Sequence, residues 1–203
     1  MSNDFNLNEM HFSALQELGN IGAGNAVTAL ATMLGRKIDM NVPNVQVLDF
    51  NQISQAIGGP ENPVAAVLVN ISSENINGIM MFIVELEKSH VLIGALMQQK
   101  TTEMGEMEQS AFQEVGNILT GSYLGALSTI FDTTVDMSVP YLSVDMAASI
   151  LSVPAIEFAK VADSALFIES VFDSDEGDIS GYFLLVPDQD SFRFIFSKIG
   201  LEI

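Results

Sequence analysis

Residues Ser13 to Leu34 read SALQELGNIGAGNAVTALATML, and residues Ser110 to Phe131 read SAFQEVGNILTGSYLGALSTIF. Each stretch carries Ser, three residues, Glu, two residues, Asn, and in each a proline follows after twenty-two more. The first copy places them at Ser13, Glu17, Asn20 and Pro43. The second places them at Ser110, Glu114, Asn117 and Pro140, ninety-seven residues on. Chance alignment of four such residues at one offset is improbable, so the chain is an internal duplication. Further residues keep the same offset, among them Gln16/Gln113, Gly19/Gly116, Ile21/Ile118, Leu30/Leu127 and Asp39/Asp136.

At 100° per residue the first stretch is an amphipathic helix over about 8–34. Leu15, Leu18, Ala26, Ala29 and Met33 gather on one side, and Ser13, Glu17, Asn20 and Gly24 form a narrow stripe on the other. Ser110, Glu114, Asn117 and Gly121 repeat that stripe on a helix over about 106–131. A strand follows each helix through its proline, over about 37–50 and 133–145. Apolar runs then predict strand pairs at about 64–71 with 78–85 and 165–172 with 179–187, and closing helices at about 88–98 and 189–200. Each half therefore reads helix, strand, short helix, two strands, helix. Hairpins outnumber helix-separated strands, so the expected fold is α+β around a mainly antiparallel sheet. With no Ser/Gly/Pro-rich linker between repeats of about 8–100 and 105–203, one domain over 1–203 built of two intertwined halves is expected.

Charge and composition exclude several functions. Seven Lys and Arg against twenty-six Asp and Glu give a formal charge of −19, the wrong sign for a nucleic-acid footprint or a polybasic membrane anchor. There is no cysteine, hence no disulfide frame, thiol nucleophile or thiolate metal site. No signal peptide is visible at MSNDFNLNEM, and apolar runs fall short of the roughly 20 residues a membrane helix needs. A cytoplasmic protein without membrane insertion is expected. His11 and His90 lack metal-ligand spacing, and no Ser-His-Asp set stands out. Gly22 to Val27 (GAGNAV) resembles part of a dinucleotide loop, but no strand precedes it and Leu119 replaces Gly22 in the second copy. The acidic turn DSDEGD lacks the spacing of a calcium loop.

The stripe remains. A Glu and an Asn on a polar helix face are ordinarily just solvated. Here the pair recurs at one helical phase, uses an Asn that helices disfavour, and sits among Gly19, Gly24, Gly116 and Gly121, each costing about 1 kcal/mol relative to alanine. Those glycines imply either close helix packing or close approach of a partner's backbone. A carboxamide orients water by donating and accepting together. Water attack on a phosphoryl group is mostly positioning, and its metal can belong to the substrate. A protein substrate carrying its own phosphoryl group and Mg²⁺ would need little more than an inserted Asn and a docking charge.

These residues resemble the CheC/CheX/FliY phosphatases of bacterial and archaeal chemotaxis, whose signature is Asp or Ser, three residues, Glu, two residues, Asn, twenty-two residues, Pro. Both copies fit it in full, and the surrounding string LQELGNIGAGNAVTAL resembles the CheC branch, over essentially the whole chain. The resemblance implies a CheC-like pseudo-twofold fold and hydrolysis of the phospho-aspartate of the response regulator CheY. By carry-over, Asn20 and Asn117 would orient the attacking water and Glu17 and Glu114 would pair with the regulator's active-site lysine. Ser13 and Ser110 would be accessory, and Pro43 and Pro140 structural. No cofactor would be bound by this chain, the Mg²⁺ belonging to CheY. The resemblance also implies a second partner, the receptor deamidase CheD, on the second half near 144–155. The competing expectation is a binding module that sequesters CheY or CheD without turnover.

Overall fold

The structure is a computed structural model that describes residues 9–35, 39–158, 164–173 and 179–198. In chain order the elements are α1 (Glu9–Leu34), β1 (Asp39–Asp49), α2 (Phe50–Ala56), β2 (Pro63–Ser72), β3 (Gly78–Glu85), α3 (Leu86–Met97) and α4 (Glu106–Phe131). They continue with β4 (Asp136–Met137), β5 (Tyr141–Met146), α5 (Ala147–Phe158), β6 (Ser164–Asp173), β7 (Ile179–Pro187) and α6 (Gln189–Lys198). The expected order of elements is present in both halves, and the turn DSDEGD falls largely outside the described residues.

One seven-stranded sheet, antiparallel at every pairing, runs β1-β6-β7-β3-β2, with β4 and β5 lying in succession along the outer edge of β2. The halves exchange strands: β1 of the first half pairs with β6 of the second, and β5 of the second pairs with β2 of the first. A single rung crosses the sheet as Val45, Ile168, Phe183, Phe82, Val67 and Leu142. Its centre is the Phe82–Phe183 pair, with ring centroids 5.0 Å apart, and its two arms mirror each other about it, Val67 answering Ile168 and Leu142 answering Val45. This is the pseudo-twofold axis of the duplication.

Alternation along the strands feeds two cores. One face of the sheet, carrying Val67, Phe82 and Phe183, is covered by α1, α3, α4 and α6. The other, carrying Val64, Met81 and Leu184, is covered by Ile53 and Ile57 around α2 and by Ile150 and Leu151 of α5. Helix α2 starts where it does because Asp49 caps it: its carboxylate accepts the Gln52 N–H at 2.8 Å while the Gln52 side chain accepts the Asp49 N–H at 3.0 Å.

The second-copy strand departs from expectation. It is broken into β4 and β5 by Ser138, Val139 and Pro140 rather than continuous. The register explains why. Between the pairs Met137↔Ile71 and Tyr141↔Leu68, three residues of the strand face two of β2. In the first copy, between Asn41↔Val171 and Asn44↔Glu169, Val42 and Pro43 face Ser170 alone. Both copies thus insert one extra residue at the motif proline, which has no N–H to give a ladder and belongs at a bulge. Ser138 bridges the gap in the second copy, donating its N–H to the Asn70 carbonyl at 2.9 Å and accepting the Asn70 N–H on its hydroxyl at 3.0 Å.

The glycines sort into two kinds. A Cβ at Gly116 would lie 2.5 Å from the Val67 side chain, so this glycine lets α4 sit down on the sheet. A Cβ at Gly24 would meet nothing within 4 Å, and one at Gly121 would make an ordinary 3.5 Å contact with Met137. Packing inside the chain therefore accounts for Gly116 but not for Gly24. Gly116→Ala is expected to destabilise the fold by about 1–3 kcal/mol through overpacking. Gly24→Ala is expected to stabilise it by up to about 1 kcal/mol. Thermal melts check the pair, at about 2–4 °C per kcal/mol for a domain of this size.

Candidate active site

Both motifs lie on the two longest helices, α1 and α4, each of 26 residues. The helices run antiparallel: Leu15, Leu18 and Gly19 of α1 share a small buried gap with Tyr123, Leu127 and Phe131 of α4. Their contact is a wedge. The Tyr123 ring occupies the space a Cβ on Gly22 would need, 2.5 Å from its nearest atom, and its hydroxyl donates to the Gly19 carbonyl at 2.8 Å. The pseudo-equivalents of Gly22 and Tyr123 are Leu119 and Ala26, both fully buried. Small faces large once in each direction, so volume is conserved while the copies diverge. This also disposes of the GAGNAV string as a phosphate loop: it lies in the middle of α1, and its first glycine serves Tyr123.

With Tyr123 and the leucines turned inward, the stripes turn out. Ser13, Glu17 and Asn20 are exposed on α1, and so are Ser110 and Glu114 on α4. Asn117 differs in being half-buried. It lies one turn before Gly121, the glycine that faces Met137 of β4. The two copies therefore share a motif but not its surroundings. Pro43 sits at the β1 bulge, and its side chain lies outside what is described. Pro140 is half-buried, and its carbonyl accepts a hydrogen bond from Gln113 Nε2 at 2.8 Å.

That bond was not foreseen from the sequence. Gln113 sits next to Glu114 and one turn before Asn117, so it ties the bulge to the helix that presents the motif, and a signature spanning helix and strand acquires a physical reason. The available signal was that Gln16 and Gln113 recur at the repeat offset. Beside Ser110 a cleft of about 420 Å³ opens between the start of α4 and β5, lined by Glu106, Gln109, Gln113, Pro140 and Tyr141. Chemically each stripe offers a carboxylate, a carboxamide and a hydroxyl on an outward helix face, with no nucleophile set among them. Chemistry on such an open face would need a second molecule docked against it.

A duplicated three-layer fold with two outward Glu–Asn stripes defines the class, and comparisons with known proteins agree. A family profile described as the CheC-like family matches residues 10–47 and 107–144, one match per copy. The CheY-P phosphatase CheC of Bacillus subtilis is 34% identical over 204 residues, covering 97% of each chain. Among solved structures, Thermotoga maritima FliY superposes with a TM-score of 0.77 at 21% identity, covering 97% of this chain and 98% of that one. A chain of the CheX-CheY-BeF3-Mg²⁺ complex of Borrelia burgdorferi superposes with a TM-score of 0.53 at 14% identity, covering 83% of this chain and 96% of that one. The chain belongs to the CheC-like family. Among the described residues, no helix is long and apolar enough to cross a membrane.

Burial of Tyr123 holds its phenol well above the ordinary value near 10, because a phenolate there would be stripped of water. The folded state keeps this proton while the unfolded chain loses it, so the associated stability is intact below pH 10 and falls as pH rises beyond it. Tyr123→Phe is therefore expected to weaken the fold near neutral pH, by about 1–2 kcal/mol for the lost buried hydrogen bond. It should also reduce the steepness of alkaline unfolding above pH 10, which denaturant melts at pH 7, 10 and 11 would measure.

Proposed function

We propose that this chain hydrolyses the phospho-aspartate of the response regulator CheY, using its two stripes as alternative half-sites. One observation carries the reading: the Glu–Asn pair stands at the same outward phase on both motif helices, in a chain 34% identical to a protein named CheY-P phosphatase. On docking, Asn20 or Asn117 enters the regulator's active site. Its carboxamide holds one water as donor and acceptor, in line with the phosphorus. Glu17 or Glu114 pairs with the regulator's lysine and fixes the approach. Ser13 and Ser110 lie one turn before each Glu and make accessory polar contacts. The Mg²⁺ is the regulator's, and it neutralises the charge on the transferring phosphoryl oxygens. Water attacks phosphorus, the acyl-phosphate P–O bond breaks, and inorganic phosphate leaves with the aspartate restored.

Removing a positioned polar group of this kind commonly lowers the rate by about 10²-fold or more. Phosphate release from phosphorylated CheY should survive in part in Asn20→Ala and in Asn117→Ala, and fall by at least that factor in the double variant. Unchanged melting curves would show that all three chains still fold. A double variant with undiminished release would refute the assignment.

We further propose that CheD docks on the second half, over β5 and α5. The supporting observation is an apolar surface at that place: Met146, Val153 and Ile156 are 52%, 48% and 78% exposed. A groove of about 240 Å³ lined by Leu68, Met81, Tyr141, Ile150 and Val153 runs alongside. Pro154 interrupts the hydrogen bonding of α5 beside it. Exposed apolar surface of this extent marks interaction sites. Val153→Glu with Ile156→Glu should abolish CheD binding in titration calorimetry while phosphate release by the chain alone stays as it was.

A further inference from the structure

The motif accounts for the polar side of the stripe. Along its other side both helices expose apolar residues, and they do so at matching positions. Met10 of α1 is 67% exposed and Met107 of α4 is 68% exposed. Both stand three residues before the motif serine. One turn after each motif Glu comes an isoleucine, Ile21 at 40% exposure and Ile118 half-buried. At 100° per residue the Met lies about 20° and the Ile about 40° from the Glu, on the side away from the Asn. Each Glu is thus bracketed, with its carboxamide on one flank and an apolar Met–Ile line on the other.

A lone exposed Met or Ile needs no explanation. Two matching pairs do, because the copies have diverged even where packing is tightest. Leu15, Leu18, Gly22 and Ala26 have become Phe112, Val115, Leu119 and Tyr123, all in the buried layer. Surface positions are under much weaker packing constraint than these. Met10/Met107 and Ile21/Ile118 nevertheless hold the same residue type.

Resting on the phosphatase reading above, we propose that Met10 with Ile21, and Met107 with Ile118, are the apolar anchors that dock the phosphorylated regulator on each motif. The polar pair does the chemistry, and these side chains supply most of the affinity. Continuity identifies the occupant, since a body that inserts Asn and engages Glu must lie over residues one to two turns away on the same helix face. The scale agrees. Met10 to Asn20 spans about 15 Å at 1.5 Å per residue, well inside the roughly 800 Å² per partner of a standard interface. An unbranched thioether adapts to an irregular apolar surface, and the solvated Glu and Ser beside it form the polar rim typical of such anchors.

The test uses an Asn20→Ala chain, in which the second site alone reports. Adding Met107→Gln and Ile118→Thr should raise KM for phosphorylated regulator about tenfold and leave kcat within twofold, while Met107→Leu keeps the parent KM. Titration of the same chains with beryllofluoride-loaded regulator should show the same tenfold loss of affinity without any turnover. That second readout separates the two ideas: if phosphate release proves independent of both asparagines, the phosphatase reading fails, and the titration still decides the anchors. An unchanged KM and affinity would overturn the proposal. So would a fall in kcat alone. A changed sedimentation coefficient of the free chain with KM untouched would assign the patch to self-association and overturn it as well.

Discussion

A phenol wedged between two long helices sets the rotation of both. Tyr123 fills the space that Gly22 leaves empty and hydrogen-bonds the carbonyl of Gly19. These residues lie on the turns that flank Asn20 on α1, and Tyr123 lies six residues past Asn117 on α4. Turning either helix would drive the ring into backbone or strand the hydroxyl in an apolar layer, where an unpaired polar group costs about 1–3 kcal/mol. The outward stripes follow from that inward contact. Beneath it, the exchange of β1 and β5 between halves welds the two copies to one sheet, so neither motif helix can shift without its twin.

What was legible in the sequence is what depends on local periodicity. Helical phase alone puts Leu15 and Leu18 inside and Glu17 and Asn20 outside, because a helix repeats every 3.6 residues whatever lies around it. The hairpins β2–β3 and β6–β7 were legible too, because each joins neighbouring apolar runs through a short turn; pairing between the halves is a long-range matter, and there the sequence was silent. Nothing in Val45 or Ile168 announces that they are partners across the halves. Pro140 was recognised as structural but its bulge was not, since a bulge is defined by a mismatch with a distant strand. The tie from Gln113 to the Pro140 carbonyl spans helix and strand, and so escaped for the same reason.

The glycines show the limit from another side. Composition gave two explanations, close packing or a partner's approach, and the structure divides the positions between them. Gly116 and Gly22 are filled by Val67 and Tyr123, whereas Gly24 faces open space on the stripe itself. An interior glycine weakens a helix by about 1 kcal/mol. At Gly24 no intramolecular contact offsets that, which fits a surface approached closely by another molecule. Met10 and Met107, each about two-thirds exposed, border the same two stripes.

The account as a whole holds that each stripe is half of an active site, completed by the regulator and released after every turnover. The most direct measurement is phosphate release from phosphorylated CheY at a hundredfold excess over this chain, with the regulator's own decay subtracted. The account predicts that phosphate continues to appear at a steady rate well past two equivalents per chain. A release that stops at two equivalents or fewer, or that never exceeds the regulator's own decay, would contradict it.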